Sequence, residues 1–127
     1  LPGAQRLLAE LSDAKCKIAL GSASRNSERI LRSTGIIDKF DVIIDGNKTT
    51  KSKPHPQVFL MGAESLGLSP AQCVVFEDSI NGIKAANEGG FVSIGIGAES
   101  LLHEADYVLS GFSNLSLANL YSILDQL

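Results

Sequence analysis

A parallel α/β domain is what this chain of 127 residues predicts. Short apolar runs alternate with segments of helical periodicity from one end to the other. One run, QCVVFEDS, is nearly continuous in apolar residues, as a strand covered on both faces must be. The runs also end in small, polar or charged residues, which is where open parallel sheets carry their chemistry. Such βα units take right-handed crossovers, which stack helices on both faces of a parallel sheet.

Residues 3–13 place Leu7, Leu8 and Leu11 at helical spacing, and the apolar run in KCKIALGS follows as the first strand. SRNSERILRSTG reads as a capped helix with Ile30 and Leu31 facing inward and Gly35 closing it. FDVIIDG is a second strand. A helix then runs from Pro56 to Gly67 on Val58, Phe59, Leu60 and Leu66, with Gly67 as its stop. QCVVFEDS is the third strand, and SINGIKAANEGG a helix capped by Asp78 or Ser79. FVSIGIG and DYVLS give two more strands, and SLANLYSILDQL a closing amphipathic helix.

The length supports one hydrophobic core and hardly two. A formal net charge of −3 argues against nucleic acid as the main partner, because phosphate backbones select basic surfaces. No apolar run approaches the roughly 18 residues of a membrane span, and no charged-then-apolar leader opens the chain. Cys16 and Cys73 have no metal-ligand spacing and read as buried free thiols of a reducing compartment. The expectation is a cytoplasmic globular domain without membrane or nucleic-acid partners.

Three polar places fall on the carboxyl rim of the predicted sheet: Ser22 with the residues after it, Lys53, and the Glu77–Asp78 pair. Ser22 stands where a strand gives way to a helix, so its hydroxyl and the next backbone N–H could face an anion. A plain turn or cap role is the alternative. Lys53 lies in KSKPHPQVF, where Pro54 excludes a helical Lys53 and Pro56 suits the start of a helix. A lysine so fixed can neutralise a phosphoryl group, and Lys53→Met should then abolish anion binding while leaving the melting temperature nearly unchanged; as a solvated loop charge, its loss should change neither. Glu77 and Asp78 offer oxygen donors for Mg²⁺, a hard ion held by few carboxylates plus phosphate and water. Otherwise Asp78 caps the helix and Glu77 is solvated. Hydroxyl, lysine and carboxylates on one rim suit phosphoryl transfer, which needs positioning and charge neutralisation.

The ordered triple IALGSAS, SKPHPQVF and VVFEDSINGIKAA resembles the second, third and fourth motifs of the haloacid dehalogenase superfamily, closest to its β-phosphoglucomutase-like branch. The resemblance implies a three-layer Rossmann-like core, Mg²⁺ as cofactor and a phosphorylated small molecule, a sugar phosphate, as substrate. It implies that Ser22 and the Ala23 amide bind the transferring phosphoryl group. Lys53 would bridge that group and the nucleophile's carboxylate, and Glu77 and Asp78 would help hold the metal. Ser24, Arg25 and Asn26 stand where this branch binds the substrate's distal phosphate.

The family's first motif, a strand ending in D-x-D that supplies nucleophile and general acid/base, is absent from the sequence, and so is the helical cap. Residues 1–127 therefore look like the C-terminal part of such a core, and inactive alone. The resemblance places the missing strand between the first and third strands here. Those two should face an empty slot, pair directly, exchange strands in self-association through exposed sheet edges, or take up a separately supplied strand.

Sugar-phosphate mutase is the leading reading. A sugar-phosphate phosphatase shares every motif present, and a non-catalytic phosphate-binding domain is the alternative from another class. A receiver-type signalling domain would place its acidic residues first and its lysine late, the reverse of the order here. GIGAES lacks the first-strand setting of a dinucleotide loop. His55 and His103 read as surface loop residues.

Overall fold

The computed structural model describes residues 3–22 and 24–127. Helices and strands alternate as α1 (Ala4–Asp13), β1 (Ala19–Gly21), α2 (Ser27–Thr34), β2 (Val42–Ile44), α3 (Gln57–Leu66) and β3 (Val74–Glu77). They continue as α4 (Ile80–Glu88), β4 (Val92–Ile96), α5 (Glu99–Leu102), β5 (Tyr107–Leu109) and α6 (Leu117–Asp125). Gly35 and Gly67 end α2 and α3 at φ 75° and 73°, the left-handed geometry that only glycine adopts cheaply. Among the described residues no helix is long and apolar enough to cross a membrane.

Among the described residues all strand pairing is parallel. β1 pairs with β2, aligning Gly21 with Ile44. β4 lies between β3 and β5, aligning Glu77 with Gly95 and Ile96 with Leu109. As the middle strand of three, β4 is the most deeply buried, with Ile94 fully shielded from water. On one face of that sheet Leu7 of α1 meets Ile94, Ile96, Leu115, Leu120 and Ile123. Arg6 reinforces this layer by reaching the Leu115 carbonyl, and Glu10 by accepting from the Leu117 N–H at 2.8 Å. The other face is closed by Ala63 of α3 and Ala86 of α4 against Val75 and Phe91.

The five strands do not form one sheet. Among the described residues β1 and β3 exchange no ladder hydrogen bonds, so the structure has a two-stranded and a three-stranded sheet. A largely apolar cavity of about 480 Å³ separates them, lined by residues 17–21 on one side and 73–77 on the other. Of the alternatives the sequence allows within a single chain, direct pairing of β1 with β3 is not the one found. α3 explains why the gap stays open: it packs on β1 and β2 while its Ala63 and Phe59 are seated against the Val75 cluster. Closing the gap would pull that helix off one sheet or the other.

Several expectations are corrected. Ile30, read as inward, is 53% exposed, because α2 buries the face of Ser27 and Leu31 instead. Leu60 of α3 likewise faces outward. Cys16 and Cys73 are free thiols but only half-buried. The single turn of α5 escaped the sequence reading altogether, since so short a helix has no periodicity to show.

Candidate functional site

The carboxyl end of β3 delivers Glu77 to the rim, and the 46–56 segment delivers Lys53 to it. Their side chains form an ion pair, Lys53 Nζ to Glu77 Oε2 at 2.7 Å, with side-chain exposures of 20% and 10%. Lys53 also lies over the Phe59 ring, 4.9 Å from its centroid. The lysine is thus pinned between a carboxylate and an aromatic face, and is not the solvated loop charge its prolines alone would allow.

Glu77 is held at its other oxygen as well. Oε1 accepts from the Asp78 N–H at 3.0 Å, the Ser79 N–H at 3.2 Å and the Ser79 hydroxyl at 3.1 Å. Burial by itself would push this carboxyl's pKa up. The Lys53 hydrogen bond and charge, with the contacts from Asp78 and Ser79, outweigh it and hold the group below the usual glutamate range.

Gly82 makes room for this arrangement. A Cβ built there would come within 2.0 Å of the Glu77 side chain. A glycine inside a helix costs about 1 kcal/mol relative to alanine, and here it clears the space in which Glu77 reaches Lys53. An interior glycine in SINGIKAA was the available signal, and the sequence reading did not use it.

The cap of α4 is Ser79, whose Oγ accepts from the Gly82 N–H at 3.0 Å. Asp78 is therefore not the capping residue and stands exposed on the rim. Among the described residues no group of three or more His, Cys, Asp or Glu side chains gathers as a metal site. The donor set nevertheless suits a hard cation at one point: Asp78 carries an exposed carboxylate, while both Glu77 oxygens are engaged.

Across the rim, the Ser22 N–H donates to the Ile44 carbonyl at 2.9 Å, extending the β1–β2 ladder by one residue. Its Oγ accepts from the Ser24 N–H at 3.1 Å, which leaves the hydroxyl hydrogen free to donate to a ligand. Ser22, Arg25 and Lys53 all line one pocket of about 230 Å³. Ser24 and Asn26 do not line it; the Asn26 N–H donates to Ser24 Oγ, and the Ser24 carbonyl accepts from Ser27 Oγ. The expected Ala23 amide lies outside the described residues. His55 and His103 are exposed, as expected, and His55 Nδ1 accepts from the Gln57 N–H at 3.1 Å.

The structure also brings in residues that the sequence reading passed over. Thr49, Thr50, Lys51 and Ser52 form the second wall of the Ser22 pocket. The density of hydroxyls and cations in KTTKSK could have drawn attention to them. Asp45, at the end of β2, is 6% exposed and accepts from the Asn47 N–H at 2.9 Å, holding the turn that begins this wall.

Fold and rim together define a parallel α/β domain with its polar side chains gathered at the carboxyl ends of the strands, the ligand-handling edge of such proteins. Within that class, the chain belongs to the haloacid dehalogenase-like hydrolase family, which matches residues 1–90. It is 40% identical over 126 residues to a β-phosphoglucomutase of Bacillus subtilis, spanning 99% of this chain and 56% of that one. Hexitol phosphatase B of Escherichia coli is 34% identical over 122 residues, covering 94% of this chain and 55% of the relative. The crystal structure of β-phosphoglucomutase from Clostridium difficile superposes with a TM-score of 0.95 at 36% identity, over 99% of this chain and 56% of that one. The chain thus spans a little over half the length of these relatives. Enzymes of the family generally use Mg²⁺.

Proposed function

We propose that residues 1–127 are the C-terminal part of the core domain of a Mg²⁺-dependent phosphoryl-transfer enzyme acting on a sugar phosphate, a β-phosphoglucomutase-like mutase. One observation carries the reading: Lys53, fixed by Glu77 at 2.7 Å, lines the same pocket as Ser22 and Arg25. Ser22 donates its hydroxyl to a phosphoryl oxygen. Lys53 has further N–H donors beyond the one given to Glu77, and its charge offsets that of the phosphoryl group. Arg25 offers a planar fork to a second anionic group of the substrate. The Ala23 amide, Ser24 and Asn26 join this set through the family resemblance.

Asp78 would hold Mg²⁺ directly, and Glu77 would support it from its place beside Lys53. When bound, the ion would neutralise charge on the transferring group. A sugar-phosphate phosphatase is the second reading, favoured by the 34% identity to hexitol phosphatase B.

A phosphate titration of the chain tests the proposal. The Ser22 and Ser24 amide resonances should move with inorganic phosphate in the millimolar range, and the shifts should shrink as salt is raised. With no D-x-D strand in its sequence, the chain should bind without turning glucose 1-phosphate over, with or without Mg²⁺. Absence of phosphate-dependent shifts would overturn the anion site, and magnesium-dependent turnover would overturn the account of the missing nucleophile.

A further inference from the structure

Lys53 reaches the rim from a segment without regular structure, between β2 and α3, so the backbone of that segment must be held by other means. Its two ends are held locally. The Lys48 N–H donates to the Asp45 carbonyl at 3.1 Å, and the His55 N–H to the Ser52 carbonyl at 3.0 Å. Between them, residues 49–51 make no backbone–backbone hydrogen bond among the described residues. One side chain holds them instead, that of Gln57, the first residue of α3.

Gln57 Oε1 accepts from the Thr50 N–H at 2.7 Å and from the Lys51 N–H at 2.8 Å, and Nε2 donates to Thr50 Oγ1 at 3.0 Å. Two N–H donors converging on one atom require it to be the amide oxygen, so the neighbours fix which way the amide points. The Gln57 N–H donates in turn to His55 Nδ1 at 3.1 Å, tying the start of the helix to the same segment. Two residues further along α3, Phe59 carries Lys53 over its ring. Thr49, Thr50, Lys51 and Ser52 wall the pocket that Ser22 and Lys53 share, whereas Gln57 does not line it.

We propose that Gln57 is a positioning residue for the anion site: without touching the anion, its side-chain amide holds the 49–52 wall in place and so sets Lys53 across from Ser22. This rests on the reading of that pocket as a phosphoryl site. A site that is assembled only part of the time binds more weakly by that fraction. Gln57 belongs to neither apolar cluster of the core, so loss of its contacts falls on the order of the loop and not on global unfolding.

The test compares wild type, Gln57→Leu and Gln57→Glu by hydrogen exchange at the Thr50 and Lys51 amides. Each is also titrated with inorganic phosphate, followed at the Ser22 and Ser24 amides. In wild type without phosphate, Thr50 and Lys51 should be protected. Gln57→Leu removes all three side-chain bonds; it should release both amides and weaken phosphate about tenfold, as for a wall in place about a tenth of the time. Its melting temperature should stay close to that of wild type. Gln57→Glu keeps an acceptor for both N–H groups and can take the Thr50 hydroxyl hydrogen, so both amides should stay protected. Its added negative charge should weaken phosphate at low salt, and that deficit should close as salt is raised, while the Gln57→Leu deficit persists against wild type at the same salt. Released amides with phosphate bound as tightly as by wild type would overturn the inference. So would weaker binding with both amides still protected, or a fall in the melting temperature of Gln57→Leu as large as that of Lys53→Met. Each of these leaves the anion site standing. If wild type itself shows no phosphate-dependent shift, the reading of the pocket falls and this inference with it.

Discussion

Replacing Lys53 by Met tests whether the rim is built or merely decorated. The substitution keeps most of the stem and removes the charge, leaving Glu77, with a side chain 10% exposed, without the partner at 2.7 Å. A hydrogen bond to a charged group contributes about 1.5–3 kcal/mol. The lower half of that range applies, because Lys53 is still 20% exposed and Glu77 keeps three hydrogen bonds at Oε1. Loss of the cation over Phe59 adds about 0.5 kcal/mol, partly returned by a thioether against the same ring. The sum is about 2 kcal/mol, or roughly 6–10 °C in melting temperature for a domain of this size.

Thermal unfolding followed by circular dichroism at neutral pH measures that difference directly. Its pH dependence supplies a second check. The Glu77 carboxyl is held below its ordinary range in the folded chain, so the unfolded state takes up its proton first as pH falls. The stability contributed by the pair is complete above the ordinary glutamate range and disappears as pH drops through the lowered folded value. The gap between wild type and Lys53→Met should narrow over that acid window. Adding Glu77→Gln to Lys53→Met should recover part of the loss, since a neutral amide is cheaper to bury unpaired than a carboxylate. A melting temperature for Lys53→Met within about 1 °C of wild type, a small fraction of the expected shift, would refute the reasoning and return Lys53 to the solvent.

Two further outcomes are expected. Gly82→Ala gains about 1 kcal/mol of helix propensity but drives a methyl into Glu77; it should therefore fail to stabilise the chain and should weaken phosphate binding, and a variant that is both more stable and equally good at binding would remove Gly82 from the site. The edges of β1 and β3 bordering the slot should make the chain self-associate as its concentration rises in sedimentation velocity; Leu20→Lys, which puts a charge into the slot, should suppress this, and a wild type that stays monomeric throughout would show that the edges are not adhesive.

The order of helices and strands was legible in the chain because each signal is local. Gly35 and Gly67 close their helices at the left-handed angles that the sequence reading required. β4, buried along nearly its whole length, came from a run with hardly a polar residue. The rim was legible for a related reason: strand ends can be read along the chain, and the parallel fold then brings Ser22, Lys53 and Glu77 to one edge. Which groups touch there was beyond local signals. Lys53 and Glu77 are 24 positions apart, and nothing in either segment's periodicity announces a 2.7 Å pair. Ile30 and Leu31 are equally apolar neighbours on a helix, so only the packing of α2 decided which one is buried. The slot between β1 and β3 follows the same logic. The sequence established that a strand's worth of pairing was absent from the chain, while the open gap was decided by α3, whose contacts with both sheets hold the two edges apart.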